Sequence, residues 1–184
     1  MRVSAALVTL LSFGSLLSAA PPVPRPAPDL AFTVPTQGQR TVSDFRGKVV
    51  ALEFIYTTCT HCATAVQTMQ KLEQELGSQG FQAIAIAFNP NAEVLTEYFT
   101  KERHLTMPVG WTNGDDVTAF LGYGPADRFV VPQIVLIDRT GTIRFETKAQ
   151  GEDNLRSEPV LRQKILELLH PPKPVAPART TQHN

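Results

Sequence analysis

The sequence is poor in cysteine and carries no excess of either charge. Two cysteines in 184 residues are too few for a disulfide-rich scaffold or a four-cysteine zinc site. The 17 basic and 17 acidic residues cancel, whereas a nucleic-acid-binding domain needs a cationic surface. No apolar run reaches the length of about 20 residues that a membrane-spanning helix requires. A hydrophobic content of 42% excludes a wholly disordered chain and predicts a folded domain.

The N-terminus has the three parts of a secretory signal. Arg2 supplies a positive charge, Ala5–Leu17 is a short, largely apolar run, and Ser18–Ala20 offers small residues for cleavage. These features predict a signal peptide over residues 1–20. An uncleaved N-terminal membrane anchor is the alternative.

Proline is concentrated at the two flanks of the chain. Nine of the fifteen prolines lie in residues 21–28 and 171–184. We expect the first segment to be an extended linker and the second a disordered tail, which leaves one domain over residues 29–170. Four of the 17 basic residues lie outside this domain and all 17 acidic residues lie inside. Its net charge is therefore −4, which again argues against nucleic acid as a partner.

Three apolar, β-prone runs predict central strands. They are Val49–Tyr56, Phe81–Phe88 and Phe129–Asp138, and runs that are apolar on both faces are typical of strands covered by helices. A tight turn after the third run leads into Thr142–Glu146, which predicts an antiparallel hairpin.

Helical periodicity separates these strands. Apolar residues recur at three- and four-residue spacing over Cys62–Leu76, and Gly77 offers a C-terminal stop. Strands that alternate with helices predict parallel pairing, and the C-terminal hairpin makes the sheet mixed. Three further helices are expected: one capped by Asn91 with the face Val94, Leu95, Tyr98 and Phe99; one from Asp115 to Phe120 after Asn113–Gly114; and one capped by Ser157 with Leu161, Ile165, Leu168 and Leu169.

Both cysteines lie in one four-residue segment, Cys59-Thr60-His61-Cys62. The segment follows a predicted strand and opens a predicted helix, where unpaired backbone N–H groups and the helix dipole favour a thiolate. Cys59, at the tip of the loop, is expected to be the more exposed cysteine, and Cys62 to be shielded in the first turn. Cys59 is therefore the candidate attacking thiol and Cys62 the candidate resolving thiol.

Two other interpretations of the cysteine pair remain open. A structural disulfide is one, although a loop of four residues stabilises a fold little. The other is a copper site, since two thiolates and an imidazole suit a soft metal ion. The available histidines are His61, His104, His170 and His183.

The order and spacing of several further motifs carry a family resemblance. From residue 27 to residue 169 the chain resembles the thioredoxin-like redoxins, specifically the extracytoplasmic thiol–disulfide oxidoreductases of the TlpA/ResA type. The resemblance implies an α/β thioredoxin-like fold: a central mixed β-sheet flanked by helices, with an N-terminal β-hairpin extension and an inserted β–α segment. The motifs that carry it, besides the cysteine pair, are Ala27–Leu30, Thr41–Val50, Thr106–Val109, Asn113–Asp115 and Val130–Asp138.

The resemblance implies a role for each matching residue. Cys59 matches the nucleophile, Cys62 the resolving cysteine, and Pro132 the cis-proline that packs against the disulfide. Beside a proline without an N–H, the backbone of Val131 is free to pair with an extended substrate strand. A trans edge-strand proline is the alternative for Pro132. The expected substrate groove comprises Val131, Pro132, Thr60 and His61.

Glu53 is the only charged residue in the first strand and lies six positions before Cys59. Thioredoxins, which the chain resembles, place a buried Asp at the same offset. A buried carboxyl has a raised pKa and could accept the proton of Cys62 during resolution. The alternative is that Glu53 faces solvent or forms an ion pair.

The sequence departs from the family pattern at several positions. Thr58 stands where a tryptophan is common, and Thr60 where a proline is common between the cysteines. His61 resembles the intervening histidine of the oxidant DsbA, which shifts the potential toward oxidising values. The carboxylate that commonly follows the second cysteine is missing from residues 63–67. The direction of electron flow therefore stays open.

Two other families with this fold fit the sequence less well. Peroxiredoxins place Pro and Thr or Ser seven and three residues before their peroxidatic cysteine, where this chain has Leu52 and Tyr56. Sco-type copper proteins space their cysteines more widely and use a distal histidine, for which His104 is an imperfect candidate. We keep a Sco-like copper-binding module, formed by the cysteine pair and a histidine, as the alternative function.

The sequence therefore predicts an enzyme, a protein-disulfide oxidoreductase that exchanges the Cys59–Cys62 dithiol or disulfide with cysteines of other proteins. The expected location is periplasmic or secreted, or membrane-anchored if the signal is uncleaved. We expect cysteine-containing extracytoplasmic proteins and a membrane or soluble thiol donor or acceptor as partners. Neither a cofactor, nor a resident metal, nor nucleic acid is expected, and the protein is expected to be a monomer.

Overall fold

The computed structural model describes residues 21–124 and 126–171. The predicted signal peptide and the tail from residue 172 onward lie outside these ranges. The strands are β1 Arg25–Pro26, β2 Ala31–Val34, β3 Gly38–Thr41, β4 Val49–Ile55, β5 Phe81–Ala87, β6 Val109–Trp111, β7 Gln133–Ile137 and β8 Thr142–Glu146. The helices are α1 Thr60–Leu76, α2 Ala92–Glu102, α3 Gly114–Leu121 and α4 Glu158–Leu169, with short 3₁₀ turns at Val42–Phe45, Gly77–Gln79 and Asn154–Arg156.

The strands form one mixed sheet in the order β1-β8-β7-β4-β5-β6-β2-β3. β4 pairs in parallel with β5, and β5 pairs in parallel with β6. The helices α1 and α2 form the crossover connections that parallel strands require. β7 is antiparallel to β4 and forms the predicted hairpin with β8. The mixed α/β sheet predicted from the alternation of elements is confirmed, and the apolar strand β4 lies at its centre.

The side chains of β4 alternate between two cores. Val49, Ala51 and Ile55 pack in a cluster with α1, α2 and α4. Val50, Leu52 and Phe54 pack in a second cluster with α3 on the opposite face. There the rings of Phe54 and Phe120 lie 5.5 Å apart. Since side chains alternate along a strand, Glu53 is on the α1 face. Both faces of the sheet are covered, which explains the continuous apolar run.

The predicted linker over residues 21–28 is corrected by β1. Arg25 and Pro26 pair with Ile143 and Thr142 of β8 at the edge of the sheet, and Arg25 forms an ion pair with Glu146 at 2.7 Å. A proline is tolerated at an edge strand because its missing N–H breaks no interior ladder. The composition of this segment concealed the pairing, since proline-rich chains are typically extended and unpaired.

The predicted stop of the first helix at Gly77 is confirmed. α1 ends at Leu76 with Gly77 as its C-cap, although Gly77 keeps a right-handed helical conformation and opens a 3₁₀ turn. The turn ends at Gly80, whose φ of 95° is left-handed, a conformation that glycine adopts without steric cost. The predicted start at Cys62 is two residues late, because the helix begins at Thr60.

The predicted apolar face of α2 is only partly correct. Asn91 precedes the helix as expected, but with a φ of 61° its side chain makes no capping hydrogen bond. Val94 and Tyr98 are 69% and 64% exposed. Phe99 is buried as predicted, and the rest of the buried face is formed by smaller residues, among them Thr96, whose hydroxyl donates to the carbonyl of residue 92 at 2.6 Å. This internal hydrogen bond satisfies a polar group inside the core.

The remaining elements follow the sequence closely. α3 is capped by Asn113, whose side chain accepts the backbone N–H of Asp116 at 2.8 Å, and α4 buries the four predicted leucine and isoleucine side chains. The third apolar run becomes a strand only from Gln133, because Phe129–Pro132 forms a loop. Among the residues that the structure describes, no helix has the length and apolarity needed to cross a membrane.

Candidate active site

The two cysteines lie at the junction of β4 and α1. Cys59 is the N-cap of α1, and its Sγ accepts the backbone N–H of Cys62 at 3.3 Å. Both are free thiols; Cys59 is partly exposed, whereas Cys62 is fully buried. This arrangement places one sulfur where another protein can reach it and holds the second sulfur behind it.

Asn89 fixes the loop that leads into Cys59. This buried side chain accepts the backbone N–H of Thr57 at 2.8 Å and the Thr57 hydroxyl at 3.2 Å. Asn89 follows β5, and the carboxyl ends of parallel strands meet at one edge of a sheet. The sequence analysis did not identify Asn89, although its position after the second predicted strand placed it at this edge.

Glu53 is fully buried, and within the described ranges neither of its carboxyl oxygens has a hydrogen-bond partner. The alternatives of a solvent-facing or ion-paired side chain are therefore wrong. Burial, together with the negative charge of Cys59, raises the pKa of Glu53 well above its usual value. A buried carboxyl with a raised pKa, on the side of the sheet that α1 covers, is suited to exchange a proton with a neighbouring group.

The Cys62 thiol is held in its protonated form. Burial is the largest cause that raises the pKa of Cys62, followed by the hydrogen bond with Cys59, and the charge of Glu53 adds to both. A backbone hydrogen bond with Tyr56 opposes these effects on the pKa of Cys62 but does not outweigh them. Cys62 therefore needs a proton acceptor before it can attack as a thiolate.

The loop before β7 and the two cysteines pack against the same core cluster. The Val131–Pro132 peptide bond is cis, and Val131 packs against the core cluster that also contains Cys62 and contacts Cys59. Pro132 is buried, whereas Thr60 and His61 are exposed in the first turn of α1. The neighbouring Val130 is 46% exposed and was not identified from the sequence.

A groove of about 140 Å³ borders the cysteine loop on the side of α2. The guanidinium of Arg103 lies over the ring of Phe99 at 4.3 Å in its wall. Tyr98, on the exposed face of α2, lines this groove. The groove as a whole is lined by Thr57, Thr58, Leu95, Tyr98, Phe99, Glu102 and Arg103.

The structure does not bring His104 to the cysteine pair. The backbone carbonyl of His104 accepts a hydrogen bond from Gln70 at 3.1 Å, and Gln70 lies eight residues beyond Cys62, about 12 Å along the helix axis. His170, at the end of α4, contacts Gln79 instead. Across residues 21–124 and 126–171 no three His, Cys, Asp or Glu side chains cluster as a metal site would require.

Comparison with known proteins assigns the family. The model of the AhpC/TSA family matches residues 23–146, which is more than half of the chain. The chain belongs to the AhpC/TSA family. Its thioredoxin-like resemblance is thereby confirmed, and the match includes the cysteine pair, Glu53 and Pro132.

Curated relatives of this AhpC/TSA protein are named as redox enzymes. The chain is 29% identical over 118 residues to the thiol-disulfide oxidoreductase ResA of Geobacillus kaustophilus, covering 64% of each protein. The chain therefore spans less than two thirds of that relative's length.

Solved structures show the same fold. A thiol:disulfide interchange protein of the thioredoxin family from Chlorobium tepidum aligns with a TM-score of 0.66 at 22% identity, over 82% of this chain and all of its own. A protein from Bacteroides thetaiotaomicron, provisionally named a protein disulfide isomerase, aligns with a TM-score of 0.67 at 29% identity, over 83% and 94% of the two chains. These matches confirm the thioredoxin-like α/β fold.

Proposed function

We propose that the protein is a thiol–disulfide oxidoreductase that exchanges electrons between the Cys59–Cys62 pair and cysteines of other proteins. The observation that carries the proposal is the asymmetry of the pair: one partly exposed sulfur at the N-cap of α1 accepts a hydrogen bond from the backbone of a second, fully buried cysteine. The ResA relatives and the interchange proteins with the same fold support it.

In the reducing direction the Cys59 thiolate attacks one sulfur of a partner disulfide. The partner's S–S bond breaks, a mixed disulfide forms, and the partner's second sulfur leaves as a thiolate that takes up a proton. Cys62 then loses its proton and attacks the Sγ of Cys59. The Cys59–Cys62 disulfide forms, the partner's remaining sulfur leaves as a thiolate, and two electrons have passed to the partner. The oxidising direction is the reverse of these steps.

Glu53 is the proposed acceptor for the Cys62 proton. The thiol requires such an acceptor because burial raises its pKa, and Glu53 is a buried carboxyl without a hydrogen-bond partner in the described ranges. Its own raised pKa brings the carboxylate closer in basicity to a thiolate, which makes proton transfer between them less uphill.

The substrate groove is proposed to follow the loop before β7. The Val131 backbone would pair with an extended segment of the partner, and buried Pro132 would shape the floor beneath it. Thr60 and His61, exposed in the first turn of α1, would contact the partner from the other side of Cys59.

We further propose an extracytoplasmic setting. The signal peptide predicted over residues 1–20 would direct the chain to the periplasm or the medium, or anchor it if uncleaved. There it would meet cysteine-containing proteins and a thiol donor or acceptor, as a monomer and without a cofactor. Its redox chemistry suits compartments in which disulfides persist.

A trapping experiment tests the exchange function. Cys62→Ser removes the resolving thiol, so the mixed disulfide between Cys59 and its partner should accumulate as a covalent complex on a non-reducing gel. Cys59→Ser is the matched control and should form none. The absence of any reducible complex with Cys62→Ser, in cells that express the full chain, would contradict the proposal.

A further inference from the structure

The side chain of Gln133 connects the loop that contains Val131 to the segment after β8. Gln133 is the first residue of β7 and is only 1% exposed. Its Nε2 donates to the carbonyls of Val130 at 2.7 Å and Lys148 at 3.2 Å, with a longer contact to Ala149 at 3.5 Å. Its Oε1 accepts the hydroxyl of Thr147 at 2.9 Å. Since a buried amide is costly unless hydrogen-bonded, these contacts explain a glutamine at a core position.

Other hydrogen bonds reinforce the same connection. The backbone N–H of Val130 donates to the carbonyl of Ala149 at 2.8 Å, and the side chain of Gln150 donates to the carbonyl of Arg128 at 2.7 Å. Arg156 donates to the carbonyl of Pro132 at 3.2 Å. The loop that contains Val131 is therefore attached to the segment after β8 on both sides of this residue.

The backbone of Val131 itself makes no such hydrogen bond within the part of the chain that the structure describes. Within residues 21–124 and 126–171 its backbone N–H and carbonyl have no backbone partner, although the carbonyls of Val130 and Pro132 are both occupied. The peptide groups around Val131 are thus held in place while its own polar groups stay available. This is the arrangement that an added strand requires.

We propose that Gln133 is a positioning residue that fixes the Val131 backbone as a docking edge for an extended, cysteine-containing peptide segment. The inference rests on the proposed disulfide-exchange function. Gln133 acts through the Val130 carbonyl and does not touch the substrate. Loss of the Gln133 amide should therefore slow exchange with peptide disulfides, which pair with the edge. Exchange with small disulfides, which have no peptide backbone, should not change.

Gln70 provides a matched control. It is also buried, and its amide also connects a helix to a loop, donating to the carbonyl of His104 at 3.1 Å and accepting the N–H of Thr106 at 2.6 Å. That loop lies far along α1 from Cys59. Gln133→Met and Gln70→Met each replace an amide by an apolar side chain of similar length, but only Gln133→Met frees the Val131 loop.

The experiment compares two substrates with the full chain: a peptide that contains a disulfide, and hydroxyethyl disulfide. In Gln133→Met, KM for the peptide should rise about tenfold, the effect of a hydrogen bond of ordinary net strength, with kcat/KM for hydroxyethyl disulfide unchanged. In Gln70→Met, the ratio of the two kcat/KM values should equal that of the wild type. An unchanged ratio in Gln133→Met, or equal changes in both variants, would overturn the inference.

Gln133→Glu gives an independent readout and covers the case in which Gln133→Met does not fold. A glutamate can donate to the Val130 carbonyl only when protonated, so the peptide preference should be lost at high pH and recover as the pH falls. The wild-type ratio should stay constant over the same range, because the reactivity of the cysteines cancels in the ratio. A pH-independent ratio in Gln133→Glu would contradict the inference. If the wild type neither reduces these two disulfides nor oxidises the corresponding dithiol peptide, the proposed function fails and the inference falls with it.

Discussion

Cys62 lies fully buried within electrostatic range of Glu53, and the charge of that carboxylate adds to the burial that raises the pKa of the thiol. A charged Glu53 thus opposes ionisation of the Cys62 thiol through the local field. Cys59, one turn away at the N-cap, is partly exposed. The pair is therefore divided into an accessible sulfur and a protonated, shielded one.

Selective alkylation is the first expected consequence. With the reduced protein at pH 8, iodoacetamide should modify Cys59 and leave Cys62 free. The rate at Cys62 should be lower by more than about 100-fold, since each unit of raised pKa removes about tenfold in thiolate and burial excludes the reagent. Peptide mass spectrometry of a time course measures both rates. Comparable labelling of the two cysteines in the folded protein would show that Cys62 is not shielded.

Replacement of Glu53 should change how stability depends on pH. The pKa of Glu53 in the folded protein is raised above the ordinary value of 4.5, so the unfolded chain loses this proton first as the pH increases. The free energy of unfolding of the wild type should fall above pH 4.5, with a slope of up to about 1.36 kcal/mol per pH unit, until the folded pKa is reached. Glu53→Gln should show a smaller fall, since only carboxyls such as Glu73 and Glu146, whose pKa values burial also raises, remain to contribute, and it should be the more stable protein at pH 7. Urea denaturation of the reduced proteins between pH 4 and 8 measures the difference.

Glu97→Gln is the control for this experiment. Glu97 is exposed, and its hydrogen bond with Lys101 lowers its pKa, which is the opposite direction. This variant should keep the wild-type decline of stability above pH 4.5. Parallel pH profiles for the wild type and Glu53→Gln would mean that Glu53 ionises in the folded protein as readily as in the unfolded chain.

The sequence predicted the centre of this site because strong local constraints act there. A run apolar on both faces indicated a covered strand, so its single charged residue, Glu53, was either buried or turned outward to solvent or an ion pair, and the structure buries it. Cys59 and Cys62 were separated into exposed and shielded positions by the geometry of a helix N-terminus. These inferences depend on neighbours within a few residues of one another.

Features that depend on distant neighbours were not predictable in this way. The apolar residues Val94 and Tyr98 fit a helical face, but α2 packs on the sheet through Ala92, Thr96 and Phe99 and leaves them exposed. Arg25 belongs to a proline-rich segment, yet it pairs with β8 and donates a hydrogen bond to the carboxylate of Glu146, 121 residues away. Gln133 follows Pro132 without any local signal, since its partners lie in a loop beyond the next strand.

The ion pair between Arg25 and Glu146 should stabilise the attachment of β1. The two side chains are 12% and 13% exposed, and burial raises the pKa of Glu146 even though Arg25 opposes this effect. Arg25→Ala should therefore lower the free energy of unfolding by about 1–2 kcal/mol, less than the cost of breaking a fully buried pair. Adding Glu146→Gln should restore part of the loss, because it removes the uncompensated charge.

A double-mutant cycle by urea denaturation measures this coupling. The exposed pair Lys101–Glu97, with side chains 73% and 54% exposed, is the comparison, since such pairs contribute little. A coupling for Arg25 and Glu146 no larger than for that pair would show that β1 is held by its backbone hydrogen bonds alone.

His61 should make the cysteine pair more oxidising. It is exposed in the first turn of α1, between the two cysteines, where a ring N–H can donate a hydrogen bond to a neighbouring thiolate and so stabilise the reduced form. His61→Ala should lower the reduction potential by about 10–20 mV, which corresponds to roughly 0.5–1 kcal/mol for two electrons. Equilibration with glutathione or dithiothreitol buffers measures the potential. Thr60→Ala changes an exposed, neutral neighbour in the same turn and should leave the potential unchanged, so an equal shift in both variants would assign the effect to the helix terminus and not to the imidazole.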